Sequence, residues 1–304
     1  MTATPFATDR DERTARLAGI ALMLVGVGLF SFGDALGKHL VGTYSVGQLL
    51  LLRAIPALLL ISPFIWRARA EFRHIPRPGL QLLRVVLSAG EVAGFFFATI
   101  YLPLADVITF YMAGPIFVTA LSAILLGEQV GWRRWTAVAL GFCGVLIALN
   151  PSAQTMSWPA LIALGGSFAF AVLMVVTRFL RGTSDMVLAS SQFAGSLACG
   201  AVMAPFGWIA PAMGDLALFA VAGAISVIAL LCVNRSLKLA AASVVVPYQY
   251  TMIIYAGVFG YLVFGDVPSN NIIIGAAVIV AAGLYIFVRE SRLAKDRPAG
   301  MPPA

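Results

Sequence analysis

The sequence predicts an all-α integral membrane protein with ten transmembrane helices, and three features support this prediction. Hydrophobic residues make up 61% of the 304 residues and charged residues only 11%, with a mean hydropathy of +0.95. A soluble domain carries about 25% charged residues, because its surface faces water. The apolar runs are continuous rather than alternating, which favours helices over the strands of a β-barrel. Basic residues are concentrated in every second loop, as expected for the loops of one membrane side.

Ten apolar runs approach the length of a transmembrane helix, which needs about 20 mainly apolar residues. Those in the first half are Leu17–Gly37, Gly47–Trp66, Leu82–Tyr101, Ala105–Leu126 and Trp135–Leu149. Those in the second half are Pro159–Leu180, Met186–Phe206, Asp215–Val233, Ala241–Phe264 and Asn271–Val288. Residues 102–104 alone join the third and fourth runs, so almost no loop separates these two helices.

The lysines and arginines orient the predicted helices. With ten spans, 18 of the 20 fall on one side of the membrane. The exceptions are Lys38, at the opposite rim, and Arg53, inside the second span. Loops rich in Lys and Arg stay in the cytoplasm, so both termini are predicted to be cytoplasmic. The formal charge of +7 is therefore interpreted as a topology signal and not as a nucleic-acid-binding surface.

The two halves of the chain repeat each other. The fourth span ends on Leu-Leu-Gly127-Glu128 and the ninth on Val-Phe-Gly265-Asp266, an offset of about 138 residues. Five spans per half is an odd number, so the second half is predicted to lie upside down relative to the first. Lys38 and its counterpart Arg178 agree with this, since they fall at opposite rims. Inverted repeats around a central cavity near the membrane midplane are a transporter architecture.

The repeat also divides the chain. The prediction is a cytoplasmic tail over 1–16, a first five-helix repeat over 17–150, a second, inverted five-helix repeat over 151–288, and a cytoplasmic tail over 289–304. The expected surroundings are the lipid bilayer, and the expected assembly is a monomer or a weak homo-oligomer.

These patterns resemble a known family. Two five-helix halves, each closing on an apolar run plus Gly-Glu or Gly-Asp and then a small-residue helix, resemble the EamA type of the drug/metabolite transporter superfamily. The opening Gly28-Leu29-Phe30-Ser31 with Asp34 and Lys38, followed by Arg53, is similar to its bacterial members. The resemblance covers about residues 17–288 and implies a multi-pass carrier of the bacterial inner membrane. Many members export amino acids, and the exporters of aromatic amino acids have ten helices around a central cavity. Asp266 departs from the Glu that is common at its position.

Glu91 is the deepest ionisable residue of the predicted spans, about nine residues into the third and near the midplane. A charge in hydrocarbon is costly, so such a residue is a candidate for function. Helical spacing places Arg84, Ser88, Glu91, Phe95 and Ala98 on one face, which we expect to line a water-filled cavity. Glu91 would then meet a substrate amine or carry a coupling proton. The alternative is a structural pair with a neighbouring helix.

Arg53 and Asp34 lie at comparable depth, roughly 9 Å below the rim. The favoured interpretation is that they pair and lock the first two helices together. The alternative is that Arg53 binds a substrate carboxylate, for which a bidentate guanidinium is well shaped. Lys38 is interpreted as a rim residue only.

The fourth and ninth spans each carry an interior proline, which frees a carbonyl and bends a helix. Broken helices in corresponding halves are the best sequence pointer to a transporter site. Tyrosine and glutamine side chains beside these prolines offer hydroxyl and amide groups to a polar ligand. The predicted substrate-binding residues are Arg53, Glu91, Phe95, Tyr111, Pro115, Pro247, Tyr248, Gln249 and Tyr250. Structural or gating roles are predicted for Asp34, Glu128 and Asp266, the last two at opposite rims.

The predicted function is a secondary transporter of small amphipathic metabolites. Export of amino acids, aromatic ones included, is favoured, and protons are a candidate coupling ion. The alternatives are import of a nucleoside-like or other metabolite by the same fold, and a passive channel. An enzyme, a cofactor and a metal site are not expected. The three cysteines lack metal-type spacing, and Glu91 is predicted to have no deep acidic partner.

Overall fold

The computed structural model describes residues 9–73, 77–125, 132–149, 157–180, 183–239 and 246–295. These residues form α-helices and short 3₁₀ and π segments, and no β-strand occurs among them. The helices are α1 (Asp9–Val41), α2 (Val46–Arg67), α3 (Pro78–Tyr101), α4 (Leu104–Tyr111), α5 (Gly114–Leu125), α6 (Trp132–Leu149), α7 (Trp158–Phe179), α8 (Asp185–Met203), α9 (Met213–Leu239), α10 (Met252–Phe259) and α11 (Asn270–Lys295).

The described helices make ten consecutive segments, in agreement with the sequence. The fourth segment is α4 followed directly by α5. The ninth segment, Val246–Phe264, is a 3₁₀ helix (Val246–Thr251), then α10, then a π-helix (Gly260–Phe264). Among the described helices, six are long and apolar enough to cross a membrane alone, and only 28% to 44% of the most apolar stretch of each is buried. Apolar surface of this extent needs lipid around it, so the protein is a multi-pass membrane protein.

Local sequence signals set several helix ends. Ser45 caps α2 in a capping box with Gln48, since its hydroxyl accepts a hydrogen bond from the Gln48 backbone N–H. Pro78 occupies the first turn of α3, where its missing N–H costs nothing. Gly265 ends the ninth segment with a φ of +71°, a left-handed conformation that a glycine adopts without strain.

The most extensive helix–helix contacts are related by exchange of the two halves. The most extensive contacts join α1 to α9, α3 to α7, α2 to α8, and α6 to α11. Exchanging each of the first five segments for its counterpart in the second five turns the α1–α9 pair into the α7–α3 pair. The α2–α8 and α6–α11 pairs are unchanged by this exchange, because each joins a segment to its own counterpart in the other half. The packing therefore has the exchange relation expected of two structural repeats.

Glycines allow the two self-matching pairs to approach until their backbones touch. A Cβ atom on Gly47 of α2 would lie 2.6 Å from the backbone of Met203 and Ala204, at the end of α8. A Cβ atom on Gly275 of α11 would lie 2.7 Å from the carbonyl oxygen of Gly144 in α6. Real Cβ atoms do not come this close to backbone, so only glycine fits at these crossings.

One end of the bundle, which we name the Lys38 end, is tied together across the halves. The Tyr44 hydroxyl, in the α1–α2 turn, donates to Asp215 Oδ2 at 2.6 Å and accepts from the Ala212 N–H. The Gln48 amide group bonds both the carbonyl oxygen and the N–H of Ile209. The hydrogen bond to Asp215 raises the pKa of Tyr44, so this phenol stays a donor.

The opposite end is held by a buried arginine. Arg84, near the start of α3, is 5% exposed, and its guanidinium reaches α7 and α8. It donates to Thr177 Oγ1 at 3.1 Å and to the Leu188 carbonyl oxygen at 3.0 Å. Longer contacts join it to the side chains of Ser191 and Gln192. These acceptors are neutral, and within the described parts of the chain the charge is stabilised by hydrogen bonds and not by an acidic side chain.

Candidate functional site

Three ionisable side chains from three helices meet in the interior of the bundle. Asp34 of α1, Arg53 of α2 and Glu91 of α3 lie close enough for their charges to interact. Counting at 1.5 Å per residue, they lie about 10 to 15 Å from the Lys38 end of their helices. Each is surrounded by the rest of the protein, yet each side chain keeps some accessible surface. Enclosure by the protein together with some remaining accessible surface is expected of side chains that line an internal cavity.

Arg53 is positioned by an aromatic ring and not by direct contact with an acid. Its Cζ lies 4.9 Å from the centroid of the Phe96 ring, within the range of a cation–π interaction. Among the described residues, the one ion pair within 4 Å joins Lys38 to Asp266, so the direct Asp34–Arg53 contact favoured from the sequence is not formed.

A row of rings connects Arg53 to the backbone of Glu91. Phe96 packs edge-on against Phe95, with centroids 5.2 Å apart, and Phe95 packs edge-on against Tyr111 at 5.1 Å. The Tyr111 hydroxyl then donates to the carbonyl oxygen of Glu91 at 3.0 Å. The structure thus brings together Glu91, Phe95 and Tyr111, as the sequence predicts. Phe95 and Tyr111 are buried in this conformation, so their rings support the charged groups from behind.

Asp34 is also an acidic neighbour of Glu91. The charges of these two carboxyl groups interact with each other as well as with Arg53. The prediction that Glu91 has no deep acidic partner is therefore wrong. The sequence could not show this, because the two acids lie on different helices and 57 residues apart.

Two buried serine hydroxyls accompany the acids. Ser31 lies one helical turn from Asp34 on α1, and Ser88 one turn from Glu91 on α3. Both serines are at most 1% exposed, and neither hydroxyl has a hydrogen-bond partner within the described ranges. Buried hydroxyls are ordinarily paired, so these two are unused polar groups on the helix faces that carry the acids. The i−3 spacing from each acid is a signal that could have identified Ser31.

The fourth and ninth segments are both interrupted, as their prolines predict. The α-helix stops at Tyr111 and restarts at Gly114, next to Pro115. In the ninth segment Pro247 lies in the 3₁₀ helix that precedes α10. Glu128, the other predicted rim acid, lies outside the described residues.

The predicted ligand groups of the ninth segment point to different places. Tyr248 packs against Met23 and Val27 of α1. Tyr250 instead lines an apolar cavity of about 300 Å³, together with residues of α4 and α11 such as Thr109 and Ile272. Gln249, between them, is partly exposed. The structure therefore does not gather the three side chains at one point beside Glu91.

A second charged cluster lies at the Lys38 end. Lys38 Nζ is 2.5 Å from Asp266 Oδ2 and 4.5 Å from the centroid of the Phe264 ring. Asp106, in the first turn of α4, interacts electrostatically with both Lys38 and Asp266. Sequence reasoning treated Lys38 as a rim residue and missed Asp106, because the pairing joins residues 228 positions apart.

Comparisons with known proteins agree on the family. The model of the EamA-like transporter family matches residues 17–150 and 157–288. A riboflavin transporter of Rhizobium johnstonii is 29% identical over 78% of this chain and 79% of its own length. An S-adenosylmethionine uptake transporter of Rickettsia prowazekii is 23% identical over 93% of this chain and 96% of its own. A pseudopaline exporter of Pseudomonas aeruginosa is 25% identical over 87% and 94%.

A solved structure shares the fold. It superposes with a TM-score of 0.62 at 17% identity, and covers 92% of this chain and 99% of its own. The resemblance to the EamA type that the repeats indicate is confirmed by the family match over both halves. The members of this family are transporters, which agrees with the expectation that the protein is not an enzyme. The chain belongs to the EamA-like transporter family, as a multi-pass membrane protein that binds a small-molecule substrate within the bilayer.

Proposed function

We propose that the protein is a secondary carrier that moves a small amphipathic metabolite across the bacterial inner membrane by alternating access. The observation that carries the proposal is the meeting of Asp34, Arg53 and Glu91 in the interior of the bundle. Charges inside a membrane are retained where they face a water-filled pathway or a partner. These three charges come from three helices of one half, so any relative movement of those helices would change the distances between the charges and a ligand bound among them.

The chemistry of the cluster suits a ligand with both charges. The Arg53 guanidinium is a fork of donors for a carboxylate, and the two acids are acceptors for an ammonium group. The rings behind them, Phe95, Phe96 and Tyr111, make the wall apolar and aromatic. Export of amino acids, aromatic ones included, is therefore the first activity that we propose to test.

Import of a heteroaromatic metabolite is the second candidate. It is favoured by the relatives named as a riboflavin transporter and an S-adenosylmethionine uptake transporter. Both ligands carry a flat ring system and polar groups, which the same cluster of charges and rings would accommodate. The relative named as a pseudopaline exporter supports the outward direction instead. A passive channel is disfavoured by the interrupted, polar-lined segments.

The proposed topology has two inverted halves and both termini in the cytoplasm. It is supported by the distribution of Lys and Arg and by the four most extensive helix–helix contacts, whose pattern is unchanged when the halves are exchanged. In this topology the Lys38 end faces away from the cytoplasm, and the Arg84 end faces it.

Protons are the proposed coupling ion. When all three groups are ionised, the cluster has two negative charges and one positive charge. A proton on one carboxyl group, or a cationic group on the ligand, would balance the remaining charge in this enclosed place. Proton binding and substrate binding would then compete for Glu91 or Asp34.

Counterflow in proteoliposomes tests the function. We expect saturable exchange of a labelled substrate from a panel of amino acids, riboflavin and S-adenosylmethionine, measured with and without a pH gradient. Glu91→Gln should reduce exchange at least tenfold and remove its dependence on the gradient, while the protein inserts normally. Glu71→Gln, in the 3₁₀ turn after α2, is the matched control and should exchange like the parent. Non-saturating flux would indicate a channel, and unchanged exchange by Glu91→Gln would overturn the assigned site.

A further inference from the structure

We infer that Lys38, Asp266 and Asp106 form a charge switch that closes the Lys38 end in one state and opens it in the other. Lys38 and Asp106 belong to the first half of the chain, and Asp266 to the second. In the structure Lys38 pairs with Asp266 and so joins the halves. When the halves separate at this end, Asp106 takes over as the partner of Lys38.

The closed arrangement has one contact between α1 and the ninth segment above the interior cluster and another at the depth of the cluster. Above the cluster, Lys38 pairs with Asp266 beside the Phe264 ring, and these charged side chains are 13% and 24% exposed. At the level of Asp34, Phe32 of α1 packs against Phe259 of α10, with centroids 5.5 Å apart. Because Lys38 lies one turn beyond Asp34 on α1, the Lys38–Asp266 pair lies between Asp34 and the end of the bundle.

The backbone around Asp266 is fixed by a helix ending. The π-helix of the ninth segment stops at Gly265, whose left-handed conformation turns the chain. The Asp266 N–H donates to the Gly260 carbonyl oxygen at 3.1 Å, and the Gly265 N–H to that of Tyr261. The Asp266 carboxylate is therefore attached to the end of the ninth segment and moves with it. Local π-helix geometry of this kind is frequent at functional positions.

Asp106 is the alternative partner that the structure leaves incompletely used. Its Oδ1 atom is buried and has no hydrogen-bond partner in the part of the chain that the structure describes. Its charge interacts with Lys38 and with Asp266. Among the described residues Lys38 has Asp266 as its one ion-pair partner within 4 Å, so the Lys38–Asp106 pair is unformed here. Lys38 and Asp106 both belong to the first half, so Asp106 stays near the lysine when Asp266 moves away with the second half. A lysine with one formed and one unformed partner, one in each half, can act as a two-state element.

The inference rests on the proposed carrier function, because only a protein that opens each side in turn needs such a closure. Its test nevertheless uses no substrate. The three cysteines, Cys143, Cys199 and Cys232, are replaced by serine, and Glu91→Cys supplies one reporter thiol in the interior. A membrane-impermeant methanethiosulfonate is applied to intact cells and, separately, to inside-out vesicles. The rate of labelling then reports which end of the bundle is open.

The two aspartates are expected to act in opposite directions. Asp266→Asn removes the closing pair and should raise labelling from the Lys38 end at least threefold, with a fall from the other side. Asp106→Asn removes the opening pair and should lower labelling from the Lys38 end by a similar factor. Asp215→Asn, at the same end, is the matched control, since its amide oxygen can still accept the hydrogen bond from Tyr44 and only the charge is removed; it should change neither rate.

Lys38→Gln shows whether both effects act through the lysine. In that background neither aspartate substitution should change the labelling rate further. Size-exclusion profiles and melting midpoints in detergent identify any variant that fails to fold, and the opposite signs of two isosteric changes cannot come from general loosening. Changes of the same sign, or no change in either folded variant, would overturn the switch. If the protein with Glu91 intact still shows counterflow in that case, the carrier function stands without the switch.

Discussion

Gly37 and Phe96 occupy complementary space: a Cβ atom at position 37 of α1 would overlap the Phe96 ring of α3. The ring is 1% exposed and has no free volume to move into. The same ring lies under the Arg53 guanidinium, whose Cζ is 4.9 Å from the ring centroid. Gly37 thus fixes the position of Phe96 and, through it, the position of Arg53, the cation of the interior cluster.

Gly37→Ala is therefore expected to displace Phe96 and, with it, Arg53. We expect a transport rate at least tenfold lower and a loss of stability of about 1–3 kcal/mol, the range for inserting a methyl group into a packed core. Gly33→Ala, one turn earlier on α1, is the matched control, since its Cβ would lie at an ordinary 3.5 Å from Ile225. Counterflow and the melting midpoint in detergent measure both effects. Equal behaviour of the two variants would contradict the assigned role of Phe96.

Gly166 of α7 leaves room for the Tyr111 side chain, as Gly37 does for Phe96. A side chain at position 166 would overlap the Tyr111 hydroxyl, which holds the Glu91 carbonyl oxygen. Gly166→Ala should weaken substrate affinity several-fold by moving this hydroxyl, and Tyr111→Phe should do the same by removing it. The neighbouring Gly165→Ala meets no atom within 4 Å and should transport normally. The half-saturation concentration in counterflow is the measurement, and the prediction fails if Gly165→Ala and Gly166→Ala do not differ.

Arg84 is expected to stabilise the bundle without touching substrate. Arg84→Met removes the guanidinium donors to Thr177 Oγ1 and to the Leu188 carbonyl oxygen, so two buried hydrogen bonds are lost. The expected cost is about 2 kcal/mol, read as a lower melting midpoint in detergent. Arg84→Lys should recover part of it, because an ammonium cannot reproduce the planar fork of donors. Leu83→Ala, at a 43% exposed neighbour, is the control. A melting midpoint equal to that of the parent would refute this role.

Tyr44 is expected to stabilise the Lys38 end through two hydrogen bonds. Tyr44→Phe removes the bonds to Asp215 and to the Ala212 N–H, so it should lower the melting midpoint in detergent. Tyr101→Phe, at a 53% exposed ring, should cost little. The Asp215 bond raises the pKa of Tyr44, so its contribution is complete below the ordinary phenol pKa of about 10 and is lost as the pH rises through the raised value. Chemical denaturation between about pH 7 and about pH 11 should show this decline. A contribution that grows with pH would show that the bond has been misassigned.

Several features of the site could be read from the chain alone. Helical spacing put Ser88, Glu91 and Phe95 on one face, and the depth of Asp34 and Arg53 followed from counting residues into their spans. Paired prolines predicted the two interruptions, because a residue without an N–H removes a helix hydrogen bond. Pro56 and Pro63 nevertheless lie inside the continuous helix α2, so a proline alone does not decide where a helix is interrupted. These are local properties, and local spacing determines them.

The remaining features depend on which helices become neighbours. The pair between Lys38 and Asp266 joins residues 228 positions apart, and no spacing rule reaches so far. The proximity of Asp34 to Glu91 depends likewise on how α1 packs against α3. The divergence of Tyr248 and Tyr250 is different, since residues two apart lie on opposite faces of a helix. Spacing alone argued against a shared site there, although hydroxyl chemistry suggested one.

The two-residue connection between α3 and α4 has a mechanical consequence. Leu102 and Pro103 alone separate the helix that carries Glu91 from the helix that carries Asp106. A single helix, α1, likewise carries both Asp34 and Lys38. Each charged cluster thus has one charged group on α1 and one on the α3–α4 pair of helices. We expect a ligand that draws α1 towards α3 in the interior to shift Lys38 and Asp106 at the rim as well, because each is joined to its interior counterpart by continuous helix or by a two-residue connection.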